Sequence, residues 1–572
     1  MAFSVPSESP AVIVKETDLT GVVRNAQTTT GAIAGNFRWG PASERVNISD
    51  EAELSSIFGA PDATTATDFM TAAMYLRYSQ DLIVVRHVDS SAANAYVTTD
   101  GAAVPTILNE NNFNEQIDAL DSDGHTFVAR FPGDLGNSLR VSICPADSSD
   151  PFSSWAYANA FDAAPGTSEF AASRGAANDE VHVAVVDQDG LFTGTAGAVL
   201  ETYPFVSVAS NAKTNDGSTN YVKSIINSAS NYVHLAGFDS DFTAAGAGQA
   251  AGTILDFANP TVKTVDLGSG VASTSPTVGA ILAAYDLFED TDTVQVDFLI
   301  SPNIASKTDA VTVVNYLTAM AQSTRKDCVA VASPPRDAII NNNSPVADIV
   351  DAANSFTSSS YLIVDNNYLK VYDKYNDTYR FVPASSSTAG IMAASDTNNA
   401  PWFSPAGARR GQYLGITSLA WSPNKSQRDT LYKAGVNPIA NIPGQGVLLF
   451  GDKTKLSRPS AFDRINVRRL FLTIERTIAD AAKNVVFEFN DEFTRAEFIN
   501  IVEPHLREIQ GRRGITDFRV VCDETNNTAA VIDRNEFRAD IFIKPARSIN
   551  YVTLNFVGVR TGIDFEEVVG TV

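Results

Sequence analysis

The segment of residues 293–335 constrains the fold more than any other part of the chain. It contains an apolar strand, TVQVDFLISP, an amphipathic helix, DAVTVVNYLTAMAQST, and a second apolar strand, KDCVAVASPP. Strands that are apolar along their whole length are covered on both faces, and two parallel strands need a crossover of about a dozen residues, usually a helix. The segment therefore predicts a parallel α/β sheet with helices on its faces.

Two other segments extend this α/β prediction. DLIVVRHVD, at residues 81–89, is a continuous apolar run and predicts another buried strand. SSYLIVDNNYLKVYD, at residues 359–373, has two apolar runs around a polar pair and predicts a hairpin that turns at Asn366 and Asn367.

Residues 96–280 differ in composition from both flanks. Ala, Ser, Thr, Gly, Asp and Asn dominate, and short apolar runs alternate with turn signals such as DSDG and DQDG. This pattern predicts one or two inserted, mostly β domains. GAGQAAG, at residues 246–252, resembles a dinucleotide-binding fingerprint, but it does not directly follow a strand and is interpreted as a loop.

The C-terminal region predicts an α+β domain. DRINVRRLFLTIERTIADAAKN has an apolar stripe with helical spacing. A second helix is predicted to open at FTRAEF, where Thr494 and Glu497 fit a capping box and Phe493 and Phe498 fit a hydrophobic staple. Strands are predicted at DFRVVCD, FRADIFIK and NYVTLNFVGV.

Charge is distributed unevenly along the 572 residues. The net charge is −24, yet residues 401–572 carry 23 basic and 20 acidic residues, so the first 400 residues have a net charge of −27. Such asymmetry suggests that the two parts face different surroundings, although a well-hydrated acidic exterior also explains it. No basic stripe with interleaved aromatic residues is present, so nucleic-acid binding is not expected.

The chain contains no concentrated catalytic or metal-binding motif. The five histidines lack metal-ligand spacing, and the cysteines, Cys144, Cys328 and Cys522, lack CxxC spacing. No phosphate-binding Gly-Lys-Ser/Thr loop and no apolar run of about 18 residues occur. We therefore expect no enzyme activity, no cofactor, no metal and no membrane insertion, and a protein that works through its surfaces.

Several motifs resemble those of the tail sheath proteins of contractile-tailed bacteriophages. Near the N-terminus the similar runs are SPAVIVKETD, TTTGAIAGNFRWGPASE and IFGAPD. Toward the C-terminus they are YRFVPASSSTAGIMAASD, PWFSPAGARRGQYLGI, DTLYKAGVNPIANIPGQGVLLFGDKT, INVRRLFLTIERTI, FEFND and VVCDETNNT. The resemblance covers about residues 1–95 and 290–572.

The resemblance implies a multidomain α/β and α+β fold with a subtilisin-like core that has no protease function. The implied parts are an N-terminal arm (1–20), the first part of the core (21–95), an inserted acidic outer region (96–280), the sheath core (281–455), an inner, tube-facing C-terminal sheath domain (456–560) and a C-terminal arm (561–572). It also implies hexameric rings stacked around a tail tube, contraction that drives the tube through the host envelope, and baseplate and tail terminator proteins as further partners. The location would be the virion tail, assembled in the host cytoplasm.

The arms are expected to exchange strands between subunits. PAVIVKE is apolar on both faces, as expected for a strand inserted into another molecule. IDFEEVV alternates and suits the same role at the other end. The candidate residues are Ala11, Val12, Ile13, Val14 and Lys15 in the N-terminal arm, and Ile563, Asp564, Phe565 and Val568 in the C-terminal arm.

The less acidic C-terminal domain is the expected inner, tube-facing layer. Candidate tube contacts are Arg507, Arg512 and Arg513, and the alternative set is Arg464, Arg468 and Arg469. Either set could instead bridge subunits or cap helix C-termini. Two other functions stay open: the sheath of a related contractile injection system, of bacteriocin or secretion type, and an enzyme or adhesin built on the acidic insert.

Overall fold

The computed structural model of the chain describes residues 28–98, 105–122, 125–147, 150–237, 261–274 and 276–550. The chain divides into two compact units. The first, called the core unit, comprises the described residues of Arg24–Pro401 and Pro405–Ala479. The second, called the C-terminal unit, comprises the described residues of Trp402–Ser404 and Asp480–Val572.

Strands and helices are numbered in chain order. The strands are β1 (Gly31–Gly35), β2 (Arg45–Ile48), β3 (Leu82–Arg86), β4 (Tyr96–Thr98), β5 (His125–Ala129), β6 (Leu139–Pro145), β7 (Glu180–Asp187), β8 (Ala198–Ser207), β9 (Val233–Leu235), β10 (Lys263–Asp266), β11 (Phe298–Ile300), β12 (Val329–Ala332), β13 (Leu362–Val364), β14 (Tyr368–Asp373), β15 (Thr378–Pro383), β16 (Ser418–Leu419), β17 (Ile439–Ile442), β18 (Gly446–Leu449), β19 (Ile515–Val521) and β20 (Asp540–Pro545). The α-helices are α1 (Glu51–Phe58), α2 (Ala66–Leu76), α3 (Glu110–Ser122), α4 (Glu169–Ala172), α5 (Val222–Ala229), α6 (Val278–Asp286), α7 (Lys307–Ala319), α8 (Pro345–Ser355), α9 (Ser385–Asn398), α10 (Lys425–Lys433), α11 (Ile465–Ala482), α12 (Glu492–Gly511) and α13 (Ala529–Ile532).

The core unit is built on a six-stranded sheet with the order β13-β12-β11-β1-β3-β2. Neighbouring strands are parallel, except that β2 runs antiparallel to β3. β11, α7 and β12 form the predicted strand–helix–strand unit, with Phe298 opposite Val329, so that prediction is confirmed. The buried strand predicted at residues 81–89 is β3.

Both faces of this sheet are covered by helices, which explains why its five parallel strands are buried and almost entirely apolar. In β1, Ile33 joins a buried cluster that includes side chains of α2 and α9. Its neighbours Ala32 and Ala34 point the other way and join a cluster with side chains of α6, α7 and α8. Residues 28–30 enter the sheet at its centre, because β1 lies between β11 and β3.

The hairpin predicted at Asn366 and Asn367 is wrong. β13 ends the six-stranded sheet, whereas β14 pairs with β15 and β16 in a separate sheet. Both asparagines are fully buried. The side-chain oxygen of Asn366 accepts from the Ile439 N–H (2.7 Å), and the side-chain amide of Asn367 donates to the Trp421 carbonyl (2.8 Å). They are buried connectors, and the hairpin is formed by β14 and β15.

Between residues 96 and 274 the structure describes two antiparallel sheets. One has the order β4-β5-β9 and the other β10-β6-β7-β8. Trp39, before β2, packs edge-on against Phe131 and Phe192 and joins the apolar cluster between these sheets. The limits of an inserted region at 96–280 stay a prediction.

The C-terminal unit pairs a long helix with a small sheet. Helix α12 begins at Glu492, and the Asp491 side chain caps it by accepting from the Thr494 N–H (2.8 Å). The predicted capping box at Thr494 is therefore wrong by one turn, because an acidic residue three positions earlier takes the cap. The helix passes through Pro504 without ending, and strands β19 and β20 lie where two of the three strands were predicted.

Candidate assembly surface

The predicted strand-exchange residues lie outside the described residues. This holds for Ala11, Val12, Ile13, Val14 and Lys15 at one end and for Ile563, Asp564, Phe565 and Val568 at the other. Their role stays a prediction. The structure does describe a small sheet in the C-terminal unit that could receive such strands.

In the described part of the chain, that sheet consists of β19 and β20. Phe518 lies opposite Ile543, and Arg519 lies opposite Phe542. Helix α12 packs against β19, and Phe518 and Ile543 are half-buried, whereas Arg519 and Phe542 are exposed. No third strand pairs with this sheet within the described residues. A two-stranded sheet is marginal in water, and unpaired edge N–H and C=O groups are a template for another strand.

A second feature of this unit is the exposed phenylalanine segment, residues 486–493. Four large apolar side chains of this segment are exposed: Val486, Phe487, Phe489 and Phe493. The Phe487 side chain is fully exposed. Asn490 fixes the segment, because its side-chain amide donates to the Glu536 carbonyl (2.9 Å) and its oxygen accepts from Arg495 (3.0 Å). Aromatic side chains held outward by a fixed loop and the first turn of a helix are typical of a surface that a partner covers.

This segment corrects one prediction and supplies residues that the sequence reasoning missed. Phe493 is 77% exposed, whereas Phe498 is buried and packs against Phe537 with ring centroids 5.4 Å apart, so the predicted staple does not form. The run FEFND, quoted above only as a family motif, contains two of the exposed phenylalanines. The signal was an aromatic-rich run between two predicted helices.

The first set of candidate arginines lies at the end of α12 and is exposed. Arg507 pairs with Glu503 (3.1 Å), and Arg512 pairs with Glu508 (3.4 Å). The Arg512 guanidinium also stacks on Trp402, 5.1 Å from the ring centroid. Arg513 follows the helix in a left-handed conformation, with φ of 68°. Surface pairs of this kind leave the positive groups accessible to a partner.

The alternative arginines are engaged inside the core unit. Arg464 binds Asp452 (3.1 Å) and the Tyr432 hydroxyl (2.6 Å). Arg468 donates to Ser360 (2.8 Å), and its guanidinium lies 4.2 Å from the ring centroid of Tyr361. Arg469 is buried in an ion pair with Asp396. The sequence stripe did not show this, because their partners come from other parts of the chain.

The core unit also contains a buried Ser–Asp pair, whose residue types are shared with many catalytic sites. The Asp365 carboxylate accepts from Ser333 (2.9 Å), Thr388 (3.2 Å) and the Asn367 N–H (3.3 Å), and burial raises the pKa of Asp365 to about 7. Asp365 and Ser333 are buried among packed side chains, so the serine hydroxyl is turned toward the carboxylate rather than toward a substrate. The pair is part of the core.

Within the described ranges, no group of three or more His, Cys, Asp or Glu side chains is placed to hold a metal ion. All three cysteines are buried as free thiols, and burial raises the pKa of Cys144 to about 12. A search of the described helices finds none that combines the length and apolarity needed to cross a bilayer.

Three family models match the chain. They are the phage tail sheath C-terminal domain over residues 457–557, the phage tail sheath protein central domain over residues 275–455, and the N-terminal region of tail sheath protein Gp18 domain III over residues 28–86.

Full-length relatives agree with these models. The tail sheath protein of Enterobacteria phage T4 is 33% identical, with 98% of this chain and 99% of that protein covered. Among solved structures, the sheath tail protein from Listeria innocua has a TM-score of 0.53 at 14% identity and covers 91% of this chain and 96% of its own. The helical sheath of the anti-feeding prophage in the contracted state has a TM-score of 0.51 at 13% identity, with 97% and 99% covered.

Proposed function

The chain belongs to the phage tail sheath family, and on that premise we propose that it is the structural subunit of a contractile sheath. Copies of the chain stack as hexameric rings around a tail tube. A baseplate triggers the rings to move into a shorter and wider arrangement, which drives the tube through the host envelope. The sheath is part of the virion tail and is assembled in the host cytoplasm, where a terminator protein closes its end. No catalytic step, cofactor or nucleotide enters this proposal.

The observation that carries the proposal is the incomplete sheet of the C-terminal unit. Among the residues that the structure describes, β19 and β20 pair only with each other, and the exposed phenylalanine segment belongs to the same unit. Both features are costly for a monomer and become favourable once neighbouring copies cover them. In the proposal the N-terminal arm (1–20) and the C-terminal arm (561–572) of neighbouring copies add strands to this sheet.

The domain assignment belongs to the same proposal. The α/β sheet covered on both faces supports a subtilisin-like, non-catalytic core formed by residues 21–95 and 281–455. Residues 96–280 form the acidic outer region, and residues 456–560 form the inner domain. Head-to-tail contacts between identical subunits close into rings or continue as helices, which is the geometry that a sleeve needs.

Tube contact is assigned to Arg507, Arg512 and Arg513 rather than to the alternative set. The first set is exposed, and the ion pairs of Arg507 and Arg512 lie at the surface, whereas Arg468 and Arg469 are buried. A charge reversal at Arg512 and Arg513 is expected to abolish binding to purified tail tube in a pull-down while sheath self-assembly continues. The control reverses Arg534 and Arg538, which are exposed to a similar degree on the same unit. Retained tube binding by the first variant would remove this assignment.

The sheath of a contractile injection system is the second candidate. It shares the fold, since the anti-feeding prophage sheath superposes over nearly the whole chain. The phage tail is preferred because the relative at 33% identity over 98% of the chain is a phage protein, whereas 13% identity supports the fold alone.

The strand-exchange proposal is tested by electron microscopy of the purified full-length chain. One variant lacks residues 1–20, and a length-matched variant replaces Ala11–Lys15 by glycine and serine. We expect striated hollow tubes from the intact chain and only small particles from both variants. Tubes from the length-matched variant would show that strand addition by the arm is not required. If the intact chain also forms only particles, added tail tube distinguishes a missing template from a wrong function.

A further inference from the structure

Helix α11 anchors itself in the core unit through two arginines on one face. Arg469 and Arg476 are seven residues apart, which is about two helical turns. Arg469 is paired with Asp396 of α9 and also donates to the Met392 carbonyl (3.3 Å). Arg476 is paired with Asp297, just before β11, at 2.6 Å.

The same two carboxylates hold the segment that leads into β1. The Thr28 hydroxyl donates to Asp396 (2.6 Å), and the Thr30 N–H donates to the second oxygen of Asp297 (3.0 Å). The Asp297 N–H in turn donates to the Thr30 carbonyl (2.9 Å). Each carboxylate is therefore shared between helix α11 and residues 28–30.

These shared carboxylates are shielded from water. The exposed side-chain fractions are 2% for Asp396, 5% for Arg469, 7% for Asp297 and 12% for Arg476. In such surroundings water does not solvate a charge that loses its partner, so breaking either carboxylate–arginine pair is costly. We therefore expect the loss of one partner to disturb the other groups that bind the same carboxylate. A surface ion pair could not transmit displacement in this way, because water replaces it at little cost.

We propose that Asp297 and Asp396 couple the root of the N-terminal segment to helix α11, so that a pull on one displaces the other. The inference rests on the proposed function, in which residues 1–20 bind a neighbouring copy. Thr28 is the first described residue after that segment, and α11 carries the chain to residue 480, where the longer segment of the C-terminal unit begins. When the lattice rearranges, the N-terminal segment of a copy and helix α11 of the same copy, which leads into its C-terminal unit, then move as one body.

Hydrogen exchange on the unassembled full-length chain tests the coupling directly. Arg476→Met should raise the exchange rate of the Thr30 amide and its neighbours in residues 29–33 about ten-fold. The reason is that Arg476 no longer holds in place the Asp297 carboxylate that accepts from this amide. Thr28→Val removes one hydroxyl and should raise exchange in residues 466–473 several-fold. The matched control is Arg464→Met, which removes an ion pair with Asp452 and should leave residues 29–33 within about two-fold of the wild type.

Two results would overturn the coupling. One is a Thr28→Val effect confined to residues 28–31, and the other is loosening of residues 29–33 by Arg464→Met as large as that by Arg476→Met. If Arg476→Met does not fold, hydrogen exchange in Thr28→Val and in the conservative variant Arg469→Lys tests the coupling instead. Neither of these variants leaves a carboxylate without a cation.

A second measurement links the coupling to contraction. Sheaths assembled from Thr28→Val are expected to break several-fold more often on triggered contraction than those of the wild type or Arg464→Met. Unchanged breakage would overturn the mechanical role even if exchange is coupled. The exchange experiment does not need a lattice, so a chain that shows coupling but never forms sheaths would refute the proposed function and not the coupling.

Discussion

The core unit and the C-terminal unit treat their apolar surface in opposite ways. The fourteen large apolar side chains that are exposed among the described residues divide equally between the two units, although the C-terminal unit is much the smaller. In the core unit they are scattered, as on any soluble protein. In the C-terminal unit, four of the seven fall within residues 486–493.

The sheets of the two units also differ in how completely they are covered. The six-stranded sheet of the core unit is covered on both faces by helices, and the described sheet of the C-terminal unit has two strands with open edges. The comparison teaches that the described part of the core unit covers its own sheet, whereas the described part of the C-terminal unit leaves strand edges and aromatic side chains uncovered, which the proposed contacts with other copies would cover.

The largest expected effect concerns the exposed phenylalanine segment. Replacing Phe487, Phe489 and Phe493 by serine should abolish sheath assembly, because the neighbouring copy loses the apolar surface that it covers. The free energy of unfolding of the monomer, measured by thermal melting, should change by about 1 kcal/mol at most, since these side chains are exposed. The control is Tyr372→Ser with Tyr379→Ser, an exposed aromatic pair of the core unit, which should still assemble. Equal loss of tubes in both variants would break the comparison.

A matched pair of arginines sharpens the contrast in stability. Arg476→Met should destabilise the chain by about 3–5 kcal/mol, because it leaves the buried Asp297 carboxylate without its cation. Arg512→Met should cost about 0.5 kcal/mol or less, since that pair lies at the surface. Denaturant unfolding of the two variants measures the difference. Similar midpoints would mean that the Arg476 pair is as solvated as the surface one.

The buried carboxylate of the core unit predicts a dependence on pH. The pKa of Asp365 is raised to about 7 by burial, and the carboxyl has its ordinary value near 4 when the chain is unfolded. The folded state therefore binds the extra proton, and stability should fall as pH rises from about 4 to about 7, by at most about 1.4 kcal/mol per pH unit from this group. Asp365→Asn should flatten that decline. Unfolding curves of both chains at pH 5 and pH 8 test this, and an unchanged slope would contradict it.

The smallest contrast between two matched variants comes from a pair of glycines. Gly390 lies inside α9, where an added Cβ would stand 2.6 Å from the Tyr78 ring, so Gly390→Ala should destabilise by about 1–3 kcal/mol. Gly511 ends α12 with open space around the added atom, so Gly511→Ala should be neutral or stabilise by less than about 1 kcal/mol. Thermal melting of each variant provides the readout, and a destabilised Gly511→Ala would argue that this helix end is already packed.

The predictions from sequence succeeded where a pattern is local and failed where several structures share one pattern. The crossover of residues 293–335 and helix α11 were predicted because their apolar spacing depends only on near neighbours. The pair Asn366–Asn367 suits a hairpin turn, yet distant backbone groups bury it between two sheets. At α12 both Asp491 and Thr494 fit a cap, and the structure uses the earlier residue.

The sequence by itself determined the kinds of elements, the parallel core and the family, because periodicity and motif order are written along the chain. Only the tertiary structure decided which charges meet and which aromatic side chains stay uncovered. Asp396 lies 73 residues from Arg469, and Asp297 lies 179 residues from Arg476. From its sequence, helix α11 is a helix whose arginines could lie at the surface. In the structure, carboxylates from distant parts of the chain lie beside these arginines and bury them, and no local pattern reveals such neighbours.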